Sequence, residues 1–276
     1  MIMEKKFSKQ IEDGERFGFG KNWAAFLKTL DETKIKYSID SLKQMLELES
    51  LKEKTFIDVG SASGLSSLAA YKLGAEVLSF DFDDQSVACT KYLRDRYAQQ
   101  EKEKWEVMQG SVLDKDFIKK MGTFNIVYSW GVLHHTGNMY EAFENVILLC
   151  KKNSLLFIAI YDDRGLKSRG WKIVKKIYNK NSFNKGLVKS VFFPYFVLTG
   201  LVGDISKLKN PVKRYTEYKS NRGMSVYHDW VDWLGGYPFE VATPTALKDF
   251  FKARGFTLLK GNYVPAACNE LIFKKL

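Results

Sequence analysis

The stretch Phe56-Ile57-Asp58-Val59-Gly60-Ser61-Ala62-Ser63-Gly64-Leu65 decides the fold. An apolar strand runs into a turn of small residues and then into a helical stretch. Glycines permit positive φ and a close approach of backbone to ligand. Free amides at a helix start hold an anionic or polar group. Alone, such a strand–turn–helix serves a dinucleotide as readily as another ligand. Two features separate the cases. The turn is Gly-x-x-x-Gly with Asp58 two residues before it, not Gly-x-Gly-x-x-Gly, so Asp58 is placed to accept hydrogen bonds or pair with an ammonium. A second strand, Glu76-Val77-Leu78-Ser79-Phe80-Asp81, ends on an acid suited to a ribose diol.

Outward from this turn the pattern alternates. Strand-like runs at Thr55–Val59, Glu76–Phe80, Trp105–Met108, Asn125–Ser129 and Leu155–Ile160 are separated by helical stretches at Gly64–Leu73, Asp84–Gln99, Asp114–Met121 and Met139–Lys151. Alternation at this spacing predicts βαβ units and a mostly parallel sheet covered on both faces. The pattern stops at Tyr161 and resumes at Thr243–Arg254, a helix with a Thr-Pro start, followed by strands at Phe256–Lys260 and Glu270–Phe273. The expected architecture is an α/β Rossmann-like seven-stranded sheet built from 51–161 and 243–276. A helical N-terminal cover (1–50, helices Asn22–Leu30 and Ile35–Leu48) precedes it, and a basic, aromatic insertion (162–242) caps the carboxyl edge.

The 276 residues suit one core domain with insertions. Three cysteines, Cys89, Cys150 and Cys268, lack metal-type spacing and read as small apolar residues in a reducing cytosol. The start, Met1 to Ile11, carries Glu4, Lys5, Lys6 and Lys9, unlike a secretory signal. The net charge of +11 is uneven: Arg164 to Arg222 is rich in Lys and Arg and holds only Asp204 and Glu217 as acids. That imbalance suggests an acidic partner, whether phosphate, nucleic acid or an anionic membrane surface. No run reaches the roughly 18 apolar residues of a spanning helix. The most apolar run, Val191–Val202, contains Pro194 and reads as too short to span. Lys176, Lys180, Lys185 and Lys189 precede it, and Lys207, Lys209 and Lys213 follow. An apolar centre with basic flanks suits peripheral contact with an inner membrane face, or a helical cap packed on the sheet.

In these motifs the chain resembles the class I S-adenosylmethionine-dependent methyltransferases. The family's order of signals falls on Asp58/Gly60/Gly64, Asp81, Gly110-Ser111-Val112 and Ser129-Trp130-Gly131-Val132-Leu133-His134-His135. The resemblance implies S-adenosyl-L-methionine as cofactor. It would be held by Asp58, Gly60, Ser61, Ala62 and Gly64, by Asp81 and Phe82, by Ser111 and Val112, and by Ser129, Trp130 and Gly131. Ala62 and Ser111 depart from the family's middle glycine and adenine-binding acid.

Methyl transfer asks the protein to align donor and acceptor. A hydroxyl acceptor also needs a base, for which histidine is the usual choice near neutral pH. The chain has three histidines, His134, His135 and His228. The resemblance faces His135 toward the acceptor. His228 lies in an aromatic and acidic stretch with Tyr227, Asp229 and Trp233, which with Trp23 are the candidate acceptor contacts; no metal is expected. The Arg16-Phe17-Gly18-Phe19-Gly20 segment suggests a hinged cover. The strand-four loop lacks the Pro-Pro-aromatic pattern of amino methylation on nucleic-acid bases, and no cysteine follows a proline as cytosine-C5 chemistry requires.

The Trp-Gly-Val-Leu-His-His-Thr-Gly loop and the His-Asp-Trp-x-Asp-Trp-x-Gly-Gly-Tyr-Pro-Phe-Glu stretch resemble bacterial ubiquinone-type and cell-surface glycan O-methyltransferases. They imply a small or carrier-linked acceptor, such as a sugar, a sugar nucleotide or a lipid-linked glycan precursor in polysaccharide biosynthesis. The basic insertion suits an anionic one. Two further readings stay open. One is an RNA-modifying enzyme, with Trp171, Tyr178, Phe183, Tyr215 and Tyr218 stacking bases. The other is a non-catalytic cofactor-binding protein.

Overall fold

Strands covered on both faces must be apolar on both, and β1 (Thr55–Val59) is buried from Phe56 to Val59. Phe56 joins Tyr128 and Phe157 on one side of the sheet. Ile57 and Val59 join Val127, Ile158 and Phe273 on the other. The structure, a computed structural model, describes residues 9–216, 226–263 and 268–276, with the His228 side chain outside that set.

With β2 (Glu76–Asp81), β3 (Trp105–Gln109), β4 (Phe124–Trp130), β5 (Cys150–Tyr161), β6 (Phe256–Asn262) and β7 (Cys268–Lys275), the sheet runs β3-β2-β1-β4-β5-β7-β6. Pairings from β3 to β5 are parallel. β7 runs antiparallel to both its neighbours. The winding reverses between β1 and β4, so their carboxyl ends flank the crevice where such sheets bind ligands.

Helices α1 (Gly20–Leu27), α2 (Glu32–Leu46), α3 (Leu65–Lys72) and α4 (Asp84–Tyr97) pack toward one side, α5 (Lys115–Lys120) and α6 (Met139–Leu148) toward the other. Both N-terminal helices start and end two or three residues earlier than the apolar spacing suggests; α2 begins at Glu32 because Asp31 caps it by accepting from Lys34 N. α6 stops at Leu148 rather than Lys151, since Cys150 already pairs with Phe124 as the first residue of β5.

The chain leaves the sheet at Asp162 and returns at Ala242; the two pair directly, and Ala242 N donates to Tyr161 O at 3.1 Å. Between them lie α7 (Leu166–Lys180), α8 (Ser182–Ile205), α9 (Pro211–Thr216) and α10 (Val226–Gly235), and α11 (Pro244–Lys252) follows. Tyr178, Val188 and Leu234 form a small core of their own with Trp171, Phe192, Phe196 and Trp233 around it.

One expectation needs correcting. The run Val191–Val202 is the middle of a 24-residue helix, Ser182–Ile205, in which an 18-residue stretch has a mean hydropathy of 1.5, long and apolar enough by length and composition to cross a bilayer. Neutral Ser, Gly and Thr residues extend the apolar run, and Pro194 does not end the helix.

Candidate active site

The crevice opens into a cavity of about 940 Å³. Its first wall is the β1–α3 turn. Gly60 N and Ser61 N donate to Phe80 O at 2.9 and 3.0 Å, tying the turn to the end of β2. Gly60 has φ +81°, and a Cβ there would meet Val132 Cγ1 at 2.3 Å, so only glycine lets the β4 loop close over the turn. Asp81 at the tip of β2 accepts from Ala62 N and Asp83 N, both at 2.9 Å. Burial nevertheless lifts its carboxyl to about 6.

Asp58 sits at the end of a buried relay. Trp105 Nε1 donates to Ser79 Oγ (2.9 Å), Ser79 Oγ to Ser67 Oγ (2.8 Å), and Ser67 Oγ to Asp58 Oδ2 (2.5 Å). Every hydroxyl proton points toward the carboxylate. Burial raises Asp58 to about 7, against the Ser67 hydrogen bond that favours its ionised form.

The N-terminal segment closes one side. Arg16 Nη1 donates to His135 O at 2.8 Å and Nη2 to Thr136 O at 3.1 Å, while its guanidinium lies over the Phe82 ring. Gly20 N donates to Asp83 Oδ2 at 2.8 Å. Phe17 N donates to Tyr237 O at 2.8 Å, so the segment also holds the end of the insertion. Trp23 and Phe26 of α1 line the cavity behind these anchors.

In the β4 loop the two adjacent histidines differ. His134 is fully buried against Tyr161 (ring centroids 4.2 Å) and stands outside the lining. His135 lines the cavity, and its Nδ1 lies 2.6 Å from Pro238 O. A carbonyl only accepts, so Nδ1 carries the proton and Nε2 the lone pair. Burial pushes His135 down to about 3. Glu240, at the end of the Tyr-Pro-Phe-Glu motif, accepts from Met139 N (3.2 Å), a free amide of the first turn of α6, and from Gly137 N (3.0 Å) in the loop just before it.

The far wall comes from the insertion and sheet edge: Tyr161, Phe196, Asp229, Trp230, Asp232, Trp233, with Trp130 and Glu270 at the rim. Trp130 Nε1 donates to Glu270 Oε1 at 2.8 Å. Asp232 accepts from Asn22 Nδ2, and burial raises its carboxyl to about 7. Lys175, buried under Trp233 with Nζ 4.2 Å from the ring, donates to Trp233 O.

The structure therefore gathers most sequence-expected residues around one cavity: Asp58, Gly60, Ser61, Ala62, Asp81, Phe82, Ser111, Val112, Trp130, Gly131, His135, Trp23, Asp229 and Trp233. Gly64, Ser129 and Tyr227 stand outside its lining. Gly64 lies against the Thr90 backbone, where a Cβ would come within 2.8 Å of Thr90 Cα. Ser129 is buried and donates to Val59 O at 2.8 Å. Tyr227 is exposed, its hydroxyl accepting from Lys189 Nζ. His228 lies on α10, its side chain outside the described residues. Asp83, Tyr161 and Glu270 were not legible as site residues, because single charged or aromatic residues carry no spacing signal; Arg16 and Asp232 lay in stretches that drew attention but were not named as site residues themselves.

The basic insertion was expected to suit an anionic acceptor, but its lysines and arginines do not line the cavity. Arg16 is the sole Lys or Arg among the described lining residues, beside Asp58, Asp81, Asp83, Asp229, Asp232 and Glu270. Lys167, Arg169, Lys172, Lys176 and Lys180 project from the outer side of α7, because its inner side packs on aromatics.

The sequence matches the methyltransferase domain family over residues 30–260. The chain belongs to this family. As a methyltransferase of the S-adenosylmethionine-dependent kind, it has solved structural counterparts of low identity. A magnesium protoporphyrin IX methyltransferase from Synechocystis PCC 6803, solved with bound SAH, is 11% identical, with 90% of this chain and 86% of that chain covered at a TM-score of 0.52. An O-methyltransferase family protein from Burkholderia thailandensis is 11% identical, covering 87% and 57%, at 0.52. The 1,6-didemethyltoxoflavin-N1-methyltransferase of the same organism is 12% identical, covering 99% and 87%, at 0.50. No curated protein matches the methyltransferase in sequence. The structural likeness is one of fold, so the acceptor has to be argued from the cavity.

Proposed function

We propose that this methyltransferase methylates a hydroxyl of a polyhydroxylated acceptor: a sugar, a sugar nucleotide or the sugar of a lipid-linked precursor. The observation that carries the reading is the far wall, where the aromatics Tyr161, Trp230 and Trp233 alternate with the carboxylates Asp229, Asp232 and Glu270. Aromatic faces cover the C–H faces of a sugar ring, and carboxylates accept from its hydroxyls. The exposed cations leave any phosphate of a carrier outside the cavity.

When bound, S-adenosylmethionine supplies an electrophilic methyl group on a sulfonium. Asp81, pre-oriented by two backbone amides, would accept from the ribose diol. Asp58 and the Gly60 turn would take the amino-acid end, Phe82, Ser111 and Val112 the adenine. The surrounding carboxylates favour the donor's positive charge. Arg16 and α1 would shut water out.

For the acceptor proton the reading favours Asp232 ahead of His135. Both line the cavity, but a base works best with a pKa near the operating pH. Burial holds Asp232 at about 7 and His135 at about 3. The base must be deprotonated to act, as a carboxylate for Asp232 and as a neutral imidazole for His135. With Asp232 as base, turnover falls about tenfold per pH unit below 7 and is level above it; with His135 it is flat through the neutral range. Asp232→Asn should cost roughly a hundredfold in kcat with donor affinity kept, and His135→Gln much less. A flat profile together with a harmless Asp232→Asn would return the base to the histidine.

The acceptor class is read by transfer of labelled methyl into fractionated glycan, lipid and RNA pools. Label in glycan or glycolipid supports the proposal; label in RNA alone overturns it. Of the aromatics considered for base stacking, Phe183 and Tyr215 are exposed, Tyr178 is buried and Trp171 is packed among Phe192, Phe196 and Trp233, while Tyr218 lies outside the described residues.

A further inference from the structure

The inner side of α8 is accounted for. Val188 is buried, Phe192 and Phe196 pack on Trp171 and Trp230, and Asp204 holds Arg214 through two hydrogen bonds of 2.6 and 2.7 Å. Its outer side is not. Phe183, Leu187, Val191, Tyr195, Leu198, Val202 and Ile205 follow one another at steps of three or four residues and are all exposed. That spacing puts them in one stripe along the helix. At about 1.5 Å per residue the stripe runs the length of the helix, on the order of 30 Å. Leu166, Ile173 and Ile177 of α7 repeat the pattern on the neighbouring helix, also exposed. A soluble protein rarely leaves so large a continuous apolar surface uncovered.

Apart from Asp204, the charged side chains from Arg164 to Thr216 have one sign. Lys167, Arg169, Lys172, Lys176 and Lys180 are exposed on α7, and Lys207, Lys209 and Lys213 just beyond α8. From Arg164 to Thr216 the single acid is Asp204, and Arg214 already neutralises it. Apolar side chains in the middle with lysines around them complement an anionic bilayer surface: acyl chains for the first, phosphates for the second. A second copy of the chain would bring the same positive charge against itself.

We infer that the outer side of the α7–α8 pair docks on an anionic lipid bilayer, with α8 lying in the headgroup plane. A membrane-crossing α8 conflicts with its inner side, since crossing would strip Phe192 and Phe196 from Trp171 and Trp230 and carry the Asp204–Arg214 pair into hydrocarbon. Phe196 lines the cavity from this same helix. Docking therefore sets one wall of the cavity against the lipid surface, where a lipid-carried acceptor would be found. The docking itself does not rest on the acceptor proposed above.

The test uses the full chain and vesicles of phosphatidylglycerol and phosphatidylcholine in equal parts, against phosphatidylcholine alone. Cosedimentation is expected with the mixed vesicles, at least tenfold weaker with the neutral ones, and lost at high salt. Leu198→Glu with Val202→Glu should reduce binding tenfold or more while calorimetry shows S-adenosylmethionine binding unchanged. Lys176→Gln with Lys180→Gln should weaken it without touching the apolar stripe. No cosedimentation at low salt overturns the proposal. So does cosedimentation that the glutamates leave unchanged. A dimer that the glutamates split, in a protein that ignores vesicles, makes the surface a self-interface instead. Protein that resists an alkaline carbonate wash has inserted across the bilayer, which overturns the in-plane placement.

Discussion

Asp58 and Asp81 stand at the ends of neighbouring strands and reach the same cavity, yet they are prepared differently. Asp81 is fixed by amides on both oxygens, so it offers remaining lone pairs in set directions. Asp81→Ala should lower S-adenosylmethionine affinity by a factor of ten or more, about 1.4 kcal/mol, by calorimetry. Asp81→Asn, which keeps an acceptor for one of the two amides, should lose less; equal affinity in all three proteins would reject the placement. Asp58 is fed by a chain of hydroxyls and lifted by burial to about 7. A carboxyl lifted this way is partly protonated near neutral pH, and a ligand ammonium beside it favours the ionised form. Binding must then release a proton, and affinity must rise with pH until it levels above about 7. Asp81, at about 6, adds a second, lower step. Calorimetry in two buffers of different ionisation enthalpy measures the release, which Asp58→Asn should remove; affinity independent of pH would show that no cation meets Asp58.

Elements were far more legible than the contacts between them. Each strand is a short apolar run bounded by polar turns, so its period shows at once, and Thr243-Pro244 announces α11 because threonine accepts from Ala246 N while proline needs no partner there. The Gly-x-x-x-Gly turn was legible for the same local reason. Arg16 was not: its acceptors lie 119 and 120 residues away in the chain, and nothing local distinguishes it from a solvated arginine. Glu240 sits in a motif that draws attention as chemistry, yet its carboxylate spans an amide of the first turn of α6 and one in the loop just before it. Loss of such a helix-start acceptor costs about 0.5–2 kcal/mol, and its negative charge adds to the effect at that end. Glu240→Ala should therefore lower the melting temperature with kcat per folded enzyme little changed, and Glu240→Gln should recover part of the loss. A full loss of activity in folded Glu240→Ala would make Glu240 part of the chemistry.

At the scale of the molecule, charge is sorted by side. The summed excess of lysine and arginine was visible in the sequence, but not that the cavity would be lined by carboxylates while the cations face outward, because a sum carries no direction. The length of α8 was missed for a related reason: the apolar run was counted without the neutral residues that extend it. The pairing of Asp162 with Ala242 has its own consequence. Everything from Asp163 to Val241 departs and comes back at a single point, so in a topological sense it is one overgrown surface loop. Evolution can lengthen, trade or discard such a loop without re-threading the sheet, and so can an engineer. The same scaffold and donor pocket could then be refitted to new acceptors by exchanging one contiguous cassette of sequence.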